Sequence, residues 1–266
     1  MEEYLLFLGI LLIIIICFIL YYNNNNKKNI IDNVVTTIKN TFSQKIPKII
    51  IQTWKNNEIP TKYLPLINTI KNLNPDYEYK FFTDQDIEIF LKTYYNKYYR
   101  TYLSLPIKIQ KIDFFRYIAV YHYGGFYMDL DMNAIKNFDE LLPYSCVFPV
   151  DEIINKNMSK LPRYKPFCDK NYYYLLGQYA FAASPKHPFI KKLIDNIHNN
   201  IHQLIYNANK SEIYVYKSTG PDYVTDIYIN YNDKADIKIL HNNKRQYFGD
   251  YAVHNYFGSW KNNKSM

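Results

Sequence analysis

The sequence predicts an α/β protein built on a doubly wound sheet with flanking helices, preceded by an N-terminal membrane helix. Three observations lead to this prediction. From residue 45 onward, short β-branched strands alternate with segments of helical periodicity. Polar residues follow these strands, at the edge where doubly wound sheets bind their ligands. Residues 4–22 form an uncharged apolar run of about 19 residues, which is long enough to cross the hydrocarbon core of a bilayer.

The N-terminal region divides into a predicted membrane anchor, residues 1–22, and a polar, Asn- and Lys-rich stalk, residues 23–44. A cleaved signal peptide is the alternative, but the apolar run is longer than usual and two glutamates precede it instead of basic residues. We therefore expect a single-pass membrane protein. A pair of lysines follows the apolar run, and this charge distribution favours a domain that faces the cytoplasm.

The charge balance limits the classes of partner. The chain has 32 Lys and Arg against 24 Asp and Glu, a net charge of +8, which favours diphosphates, acidic glycans or lipid head groups as partners. No basic helix, RNA-binding signature or zinc-finger spacing is present, so nucleic acid is not an expected partner.

Residues 45–266 are predicted to form one α/β domain. A run of isoleucines after a proline is typical of a buried, parallel first strand, and helical spacing then predicts a β-α-β unit and two more helices. No glycine-rich dinucleotide fingerprint follows the first strand, and no P-loop is present. The predicted elements are strands at 46–54, 77–82 and 125–129 and helices at 60–73, 87–95 and 107–122. The predicted buried faces carry Ile87, Phe90, Leu91 and Tyr94 on the second helix and Ile109, Ile112, Phe115, Ile118 and Ala119 on the third.

Asp129 and Asp131 stand at the end of the third predicted strand. In extended chain alternate side chains point the same way, so both carboxylates could meet one cation while Leu130 packs into the sheet. Carboxylate oxygens select Mg²⁺, Mn²⁺ or Ca²⁺, and such sites usually complete their coordination with phosphate oxygens of a substrate. The pair therefore predicts a site for Mn²⁺ or Mg²⁺.

An Asp-x-Asp pattern is weak by itself, because residues 84–86 have the same spacing. That second pair lies where a helix begins, so capping by Thr83 or by the first aspartate explains it better. The pair at Asp129 instead ends a strand that begins at Gly124 and Gly125, where missing side chains would let the backbone approach a ligand. A simple turn after a hairpin is the alternative interpretation.

Two further groups are candidates for ligand binding. Asp113 and Arg116 are three apart on one helix and share a face, either as a surface ion pair or as a pair that binds sugar hydroxyls and phosphate oxygens. Near the C-terminus, His254 could be a third metal ligand and Trp260 a lid or stacking platform, although a histidine beside aromatic residues is more often structural.

These residues resemble the DXD-containing glycosyltransferases, typified by the yeast initiating α-1,6-mannosyltransferase and including mannosyl-inositolphosphoceramide synthases and bacterial capsule sugar transferases. The similar blocks occur in the family's order and cover nearly the whole domain. They are IPKIIIQTWK (46–55), NPDYEYKFFTDQD (74–86), the run from Gln110 to YGGFYMDLDM (123–132), SPKHPF (184–189), STGPD (218–222) and AVHNYFGSW (252–260).

The resemblance implies a GT-A-like mixed sheet and a retaining, metal-dependent transfer of a hexose from GDP- or UDP-hexose to a glycan, glycoprotein or glycolipid. It also implies a domain facing a Golgi- or ER-type lumen, opposite to the flanking charges. A catalytic nucleophile is not evident, and Asp222 is a candidate only by default. The implied roles are metal binding by Asp129, Asp131 and His254, catalysis by these aspartates with Asp113 and Arg116, and donor binding by Trp54, Asp113, Arg116, Gly124, Gly125, Thr219, Gly220 and Trp260.

Two alternatives come from other classes. One is a catalytically inactive, membrane-tethered protein of the same fold that binds glycans or acts as a scaffold. The other is a metal-dependent phosphodiesterase or nucleotide hydrolase, because two carboxylates and a divalent ion also suit hydrolysis. Acceptor specificity is expected to lie in loops such as residues 151–171, beside the predicted cleft.

Overall fold

The computed structural model describes residues 44–209, 211–242 and 246–258, together with Ile13 and Ile16. Of the predicted anchor and stalk, only Ile13, Ile16 and residue 44 fall within these ranges, and Trp260 lies outside them. Among the helices of the described part of the chain, none is long and apolar enough to cross a membrane.

A seven-stranded mixed sheet forms the centre of the domain, with strands in the order β2-β1-β3-β7-β5-β6 and β8 beside β5. The first three pair in parallel, as the sequence predicted, whereas β7 runs antiparallel to β3 and β5. A small antiparallel sheet has the order β4-β10-β9. The strands are β1 Ile49–Thr53, β2 Glu78–Phe82, β3 Gly125–Met128, β4 Met132–Ala134, β5 Cys146–Ile153, β6 Tyr174–Leu176, β7 Ala180–Ala183, β8 Ile237–Leu240, β9 Tyr247–Phe248 and β10 Ala252–His254.

Helices cover both faces of the central sheet, although unequally. The described helices are α1 Leu64–Leu73, α2 Asp84–Tyr94, α3 Asn96–Ser104, α4 Lys108–Tyr123, α5 Lys165–Cys168, α6 Pro188–Asn199, α7 Ile201–Tyr206, α8 Glu212–Ser218 and α9 Pro221–Ile229. Short 3₁₀ turns occur at Thr61–Tyr63, Asp139–Leu141, Met158–Lys160 and Lys234–Asp236.

Alternation along the central strands produces two hydrophobic cores. Ile51 of β1 and Tyr127 of β3 pack with residues of α2, α3, α4, α6 and α9 on one face. Their neighbours Ile50 and Phe126 pack on the other face, with α1 and the small sheet. The small sheet thus lies against the face opposite to α4, and it carries the C-terminal part of the site described below.

Most of the predicted elements are confirmed, with shifts of a few residues at their ends. Three points differ from the prediction. Helix α3 was not predicted, Tyr94 is 59% exposed instead of buried, and Ile109 and Ile112 are only partly buried. The last two face the cleft instead of the core, which explains why a helix that lines a ligand site lacks a clean apolar periodicity.

Gly124 and Gly125 lie at the start of β3, at the opposite end of the strand from Asp129. Both have positive φ, and a Cβ on Gly125 would lie 2.4 Å from the carbonyl oxygen of Ile49. A Cβ on Gly124 would lie 2.7 Å from ring atoms of Pro47 and Pro185. The prediction that these glycines approach the donor is therefore wrong, because their missing side chains make room for β1 and for two prolines.

Candidate active site

A tight turn, not an extended strand, brings Asp129 and Asp131 together. The amide of Met132 donates to the carbonyl of Asp129 at 3.1 Å, so the four residues reverse the chain between β3 and β4. These two strands belong to different sheets, which rules out the hairpin interpretation. Leu130 is buried, but it packs against Tyr63 and Ile67 instead of against the sheet.

His254 joins the two aspartates through strand pairing. In the small sheet His254 of β10 lies opposite Met132 of β4, next to Asp131 in the chain. Its Nε2 lies 3.1 Å from Oδ1 of Asp131, and its ring stacks on Tyr179 at a centroid distance of 4.5 Å. One ligand atom from each of Asp129, Asp131 and His254 lies within 4.8 Å of the others.

The carboxylates of this group have opposite pKa shifts. Burial raises the pKa of Asp129, and Asp131 adds to this effect, although Arg116 opposes it. Burial also acts to raise the pKa of Asp131, but the hydrogen bond from His254 and the amide of Phe257 outweigh it and lower the pKa. For His254, the hydrogen bond to Asp131 overcomes the effect of burial and raises the pKa. With both aspartates ionised, two carboxylates and one imidazole leave the group with a net negative charge that a cation would neutralise.

Asp113 and Arg116 form a buried ion pair instead of a surface pair. Their side chains are 1% and 2% exposed, and the guanidinium lies 3.2 Å from Oδ1 of Asp113 and 3.2 Å from Oδ1 of Asp129. Burial raises the pKa of Asp113 to about 6, although the charge of Arg116 and a hydrogen bond from Thr219 oppose the shift. Arg116 thus connects α4 electrostatically to the turn that carries Asp129 and Asp131.

Two residues that the sequence analysis missed hold this arginine in place. Gln178 accepts a hydrogen bond from Arg116 through its side chain, accepts another through its backbone carbonyl at 2.9 Å, and donates to Asp113 at 3.2 Å. Tyr127 stacks under the guanidinium at 4.5 Å and donates to Asp129 at 2.9 Å. Tyr127 could have been found by its period-two spacing from Asp129, whereas no sequence signal marks Gln178.

The candidate metal ligands Asp129 and His254 lie where two lobes of a cleft meet. One lobe, of about 410 Å³, is lined by Asp113 and Gln178 together with Asp151, Glu152 and Arg163. The other lobe, of about 570 Å³, is lined by Thr53, Trp54, Lys55, Tyr63, Asp84 and Lys108. The two lobes form one cleft, because they share the lining residues Arg116, Asp129, His254, Ile109 and Tyr256. We name the first the acceptor lobe and the second the nucleotide lobe, after the roles proposed for them below.

The other described residues that were predicted to bind the donor differ in whether they line the cleft. Trp54 lines the nucleotide lobe, and its Nε1 is enclosed without a hydrogen-bond partner. Gly220 lines the acceptor lobe, whereas Thr219 is fully buried and donates to Oδ2 of Asp113 at 2.7 Å. Thr219 therefore contacts Asp113 and does not line the cleft.

Asp222 is bound by Arg163, which makes three hydrogen bonds of 2.6–3.1 Å to its two carboxylate oxygens. Its side chain is 1% exposed. A buried carboxylate that is held by an arginine fork and does not line the cleft is poorly placed to attack a sugar, which argues against Asp222 as a nucleophile. Arg163 itself was missed by the sequence analysis, and it lies within the loop that was expected to contact the acceptor.

Two carboxylates and one imidazole fit a divalent transition metal. Carboxylates suit Mg²⁺ and Mn²⁺, whereas imidazole nitrogen suits transition metals and is uncommon on Mg²⁺. These three residues would hold the cation, which would supply positive charge to a substrate in the cleft. The donor set therefore fits a divalent cation.

Comparisons with known proteins show similarity to glycosyltransferases. Residues 60–148 match the family of glycosyltransferase sugar-binding regions containing a DXD motif. The chain is 31% identical to inositol phosphoceramide mannosyltransferase 1 of Schizosaccharomyces pombe, over 71% of this chain and 53% of that protein. It is 32% identical to inositol phosphoceramide mannosyltransferase 3 of the same organism, over 75% of this chain and 49% of that protein. The chain thus spans about half the length of these relatives.

Among solved structures, PaToxG glycosyltransferase has a TM-score of 0.50 and 17% identity, and the match covers 76% of this chain and 78% of that one. At this identity the likeness shows the fold alone. It confirms the predicted mixed α/β architecture.

Proposed function

We propose that the protein transfers a hexose from GDP- or UDP-hexose to a glycan, glycoprotein or glycolipid, because residues 60–148 match the family of glycosyltransferase sugar-binding regions containing a DXD motif. The hexose would be mannose, glucose, galactose or an N-acetylated form. The observation that carries the proposal is the position of Asp129, Asp131 and His254 at the junction of two lobes.

The junction suits a reaction in which a diphosphate leaves. A bound Mn²⁺ would supply positive charge for the departing nucleoside diphosphate. Asp131 is oriented for this by the amide of Phe257 at 2.9 Å, and the carbonyl of Asp129 is fixed by Gln52 at 3.1 Å. These contacts hold both ligands before substrate binds, which lowers the reorganisation needed in the transition state.

The two lobes would bind different parts of the substrates. The nucleotide lobe offers the Trp54 and Tyr63 rings, which suit a base and ribose, and it reaches the metal ligands at its other end. The acceptor lobe places Arg116 and Gln178 on its wall, where they can orient the transferred sugar. Asp113 is 1% exposed and already engaged by Thr219, Gln178 and Arg116, so we assign it to the positioning of Arg116 and Gln178.

We further propose that the transfer retains the anomeric configuration. The hydrogen bonds from Arg163 to Asp222 argue against a double displacement through that carboxylate and support a front-face reaction. In such a reaction the leaving diphosphate itself assists the incoming hydroxyl, and the chain contributes by holding both substrates at the junction.

The relatives' names suggest mannose as the sugar and a phosphoinositol lipid as one candidate acceptor. A lipid acceptor would agree with our proposal that residues 1–22 anchor the chain in a membrane and residues 23–44 form a stalk. The flanking lysines favour a cytoplasmic domain and the family resemblance a lumenal one. Glycosylation at Asn157 or Asn209 in a eukaryotic host would distinguish the two, because only a lumenal domain can be modified.

A donor-hydrolysis screen tests the proposal. The full chain in detergent is incubated with GDP- and UDP-hexoses, with and without Mn²⁺, beside an Asp129→Asn/Asp131→Asn variant. We expect Mn²⁺-dependent release of one nucleoside diphosphate that the variant loses. A folded, Mn²⁺-binding protein that hydrolyses no donor and transfers none to added glycolipid or glycan acceptors would contradict the proposal and favour a binding protein. Release of nucleoside monophosphate instead would indicate a phosphodiesterase.

A further inference from the structure

We propose that the Asp84–Lys108 ion pair recognises the base of the donor nucleotide and selects guanine over uracil. The inference rests on the proposed glycosyltransferase function and assigns the nucleotide specificity of the same cleft. The sequence analysis explained Asp84 by helix capping, but the structure places its side chain in the nucleotide lobe.

The pair lies beside the carboxyl ends of β1 and β2, next to Trp54. The amide of Trp54 donates to the carbonyl of Phe82 at 3.1 Å, and the amide of Asp84 donates to the carbonyl of Lys55 at 3.4 Å. Lys108, the first residue of α4, completes the wall, with its ammonium 2.5 Å from Oδ2 of Asp84. Charged groups and an aromatic ring therefore converge in one lobe.

Asp84 is not required to cap its helix. Thr83 is the N-cap of α2, and its hydroxyl accepts from the amide of Asp86 at 3.2 Å. The carboxylate of Asp86 accepts from the amide of Thr83 at 2.9 Å and completes the capping box. Asp84 is left to pair with Lys108, and the two side chains are 33% and 62% exposed, so a ligand can reach them.

Trp54 gives an independent indication of a ligand at this place. Its Nε1 is enclosed by protein and has no hydrogen-bond partner, although a buried donor without a partner is costly. A polar ligand in the nucleotide lobe would supply the missing acceptor. The same lobe extends to Asp129, Asp131 and His254, so a nucleotide could place its base near Asp84 and its diphosphate at the metal.

The chemistry of the pair matches guanine. Along its Watson–Crick edge guanine presents one acceptor, O6, followed by two donors, N1–H and N2–H. An ammonium beside a carboxylate presents a donor followed by two acceptor oxygens, so Lys108 can donate to O6 while Asp84 accepts from both nitrogens. Oδ2 of Asp84, which already faces Lys108, would lie opposite N1 in this arrangement.

Uracil fits the pair less well. Its edge presents a single donor, N3–H, between two carbonyl oxygens, so one oxygen of the Asp84 carboxylate would face a carbonyl. At that position a hydrogen bond is replaced by repulsion between the carboxylate oxygen and the carbonyl oxygen. A mismatch of this kind at a bidentate contact lowers affinity by about tenfold or more.

The test is calorimetric titration of the full chain in detergent, at saturating Mn²⁺, with GDP, UDP and inosine diphosphate, which lacks the 2-amino group. We expect GDP to bind at least about tenfold more tightly than UDP, with inosine diphosphate between them. Asp84→Asn and Lys108→Met should each remove most of this preference. The matched control is Lys165→Met, which breaks an exposed Lys–Asp pair of 2.7 Å far from the cleft and should keep the preference.

Each other outcome refutes the inference in a distinguishable way. Equal binding of GDP and UDP, tighter binding of UDP, or a preference that survives both substitutions would overturn base recognition by this pair and leave the transferase proposal standing. If the Mn²⁺-loaded protein binds neither nucleotide, the proposed function fails as well. Circular dichroism of each variant excludes misfolding as the cause of a lost preference.

Discussion

Arg163→Met tests whether Arg163 and Asp222 form a structural pair instead of a catalytic one. Arg163 makes three hydrogen bonds to Asp222 and lies 3.8 Å from Glu152. The carboxylates are 1% and 4% exposed, so removal of the guanidinium leaves Asp222 buried without a counter-charge.

The expected effect follows from that burial. Breaking a buried ion pair by removing one partner costs about 3–5 kcal/mol of the free energy of unfolding. For a domain of this size each kcal/mol shifts Tm by about 2–4 °C, so Tm should fall by about 6–20 °C. Replacing both partners, in Arg163→Met/Asp222→Leu, should recover at least half of the loss, because no buried charge of the pair then remains unpaired.

The assay combines thermal unfolding with donor hydrolysis in the presence of Mn²⁺. The double variant should still hydrolyse the donor, since neither side chain attacks the sugar. A destabilisation of Arg163→Met below about 1 kcal/mol, or a double variant as unstable as the single one, would refute the structural role. A stable double variant with no hydrolysis would restore Asp222 as a candidate nucleophile.

Three further predictions follow from the site and its supports. Mn²⁺ affinity should fall by up to about tenfold per pH unit below the raised pKa of His254, because the proton on the imidazole must leave before the metal binds; pH-independent titrations would contradict this. Gly125→Ala should lower the free energy of unfolding in urea by more than about 2 kcal/mol, because a Cβ would lie 2.4 Å from the carbonyl oxygen of Ile49 at a φ of +86°. An unchanged free energy of unfolding would contradict this close packing. Thr219→Val should cost about 1–3 kcal/mol by removing the donor to buried Asp113, whereas Thr219→Ser should be close to wild type; equal stabilities would count against this hydrogen bond.

The sequence predicted the central elements because their patterns are local. The isoleucine run of β1, the apolar spacing of α1 and the capping signal at Thr83 are each decided within one turn or strand. The metal ligands were also identified, but for a partly incorrect reason. Asp129 and Asp131 converge because a turn folds the chain back between two sheets, which period-two alternation does not describe.

Other parts of the site depend on contacts that are distant in the chain. Gln178 reaches Arg116 across 62 residues, and Arg163 reaches Asp222 across 59, so neither has a local signal. Gly124 and Gly125 were misread for a similar reason. A glycine pair before a DXD strand indicates close approach of some group, but only the fold shows that the group is β1 and its neighbouring prolines.

Mn²⁺ binding measured by electron paramagnetic resonance tests the central claim most directly. The wild-type chain should bind one Mn²⁺, and Asp131→Asn and His254→Ala should each weaken binding at least about tenfold, because each removes one of three ligands. Asp84→Asn, in the other Asp-x-Asp pair, should bind the metal as the wild type does. In that pair Asp86 caps α2 and Asp84 lines the nucleotide lobe. Unchanged Mn²⁺ affinity in Asp131→Asn and His254→Ala, or a loss only in Asp84→Asn, would contradict the assignment of the metal to Asp129, Asp131 and His254.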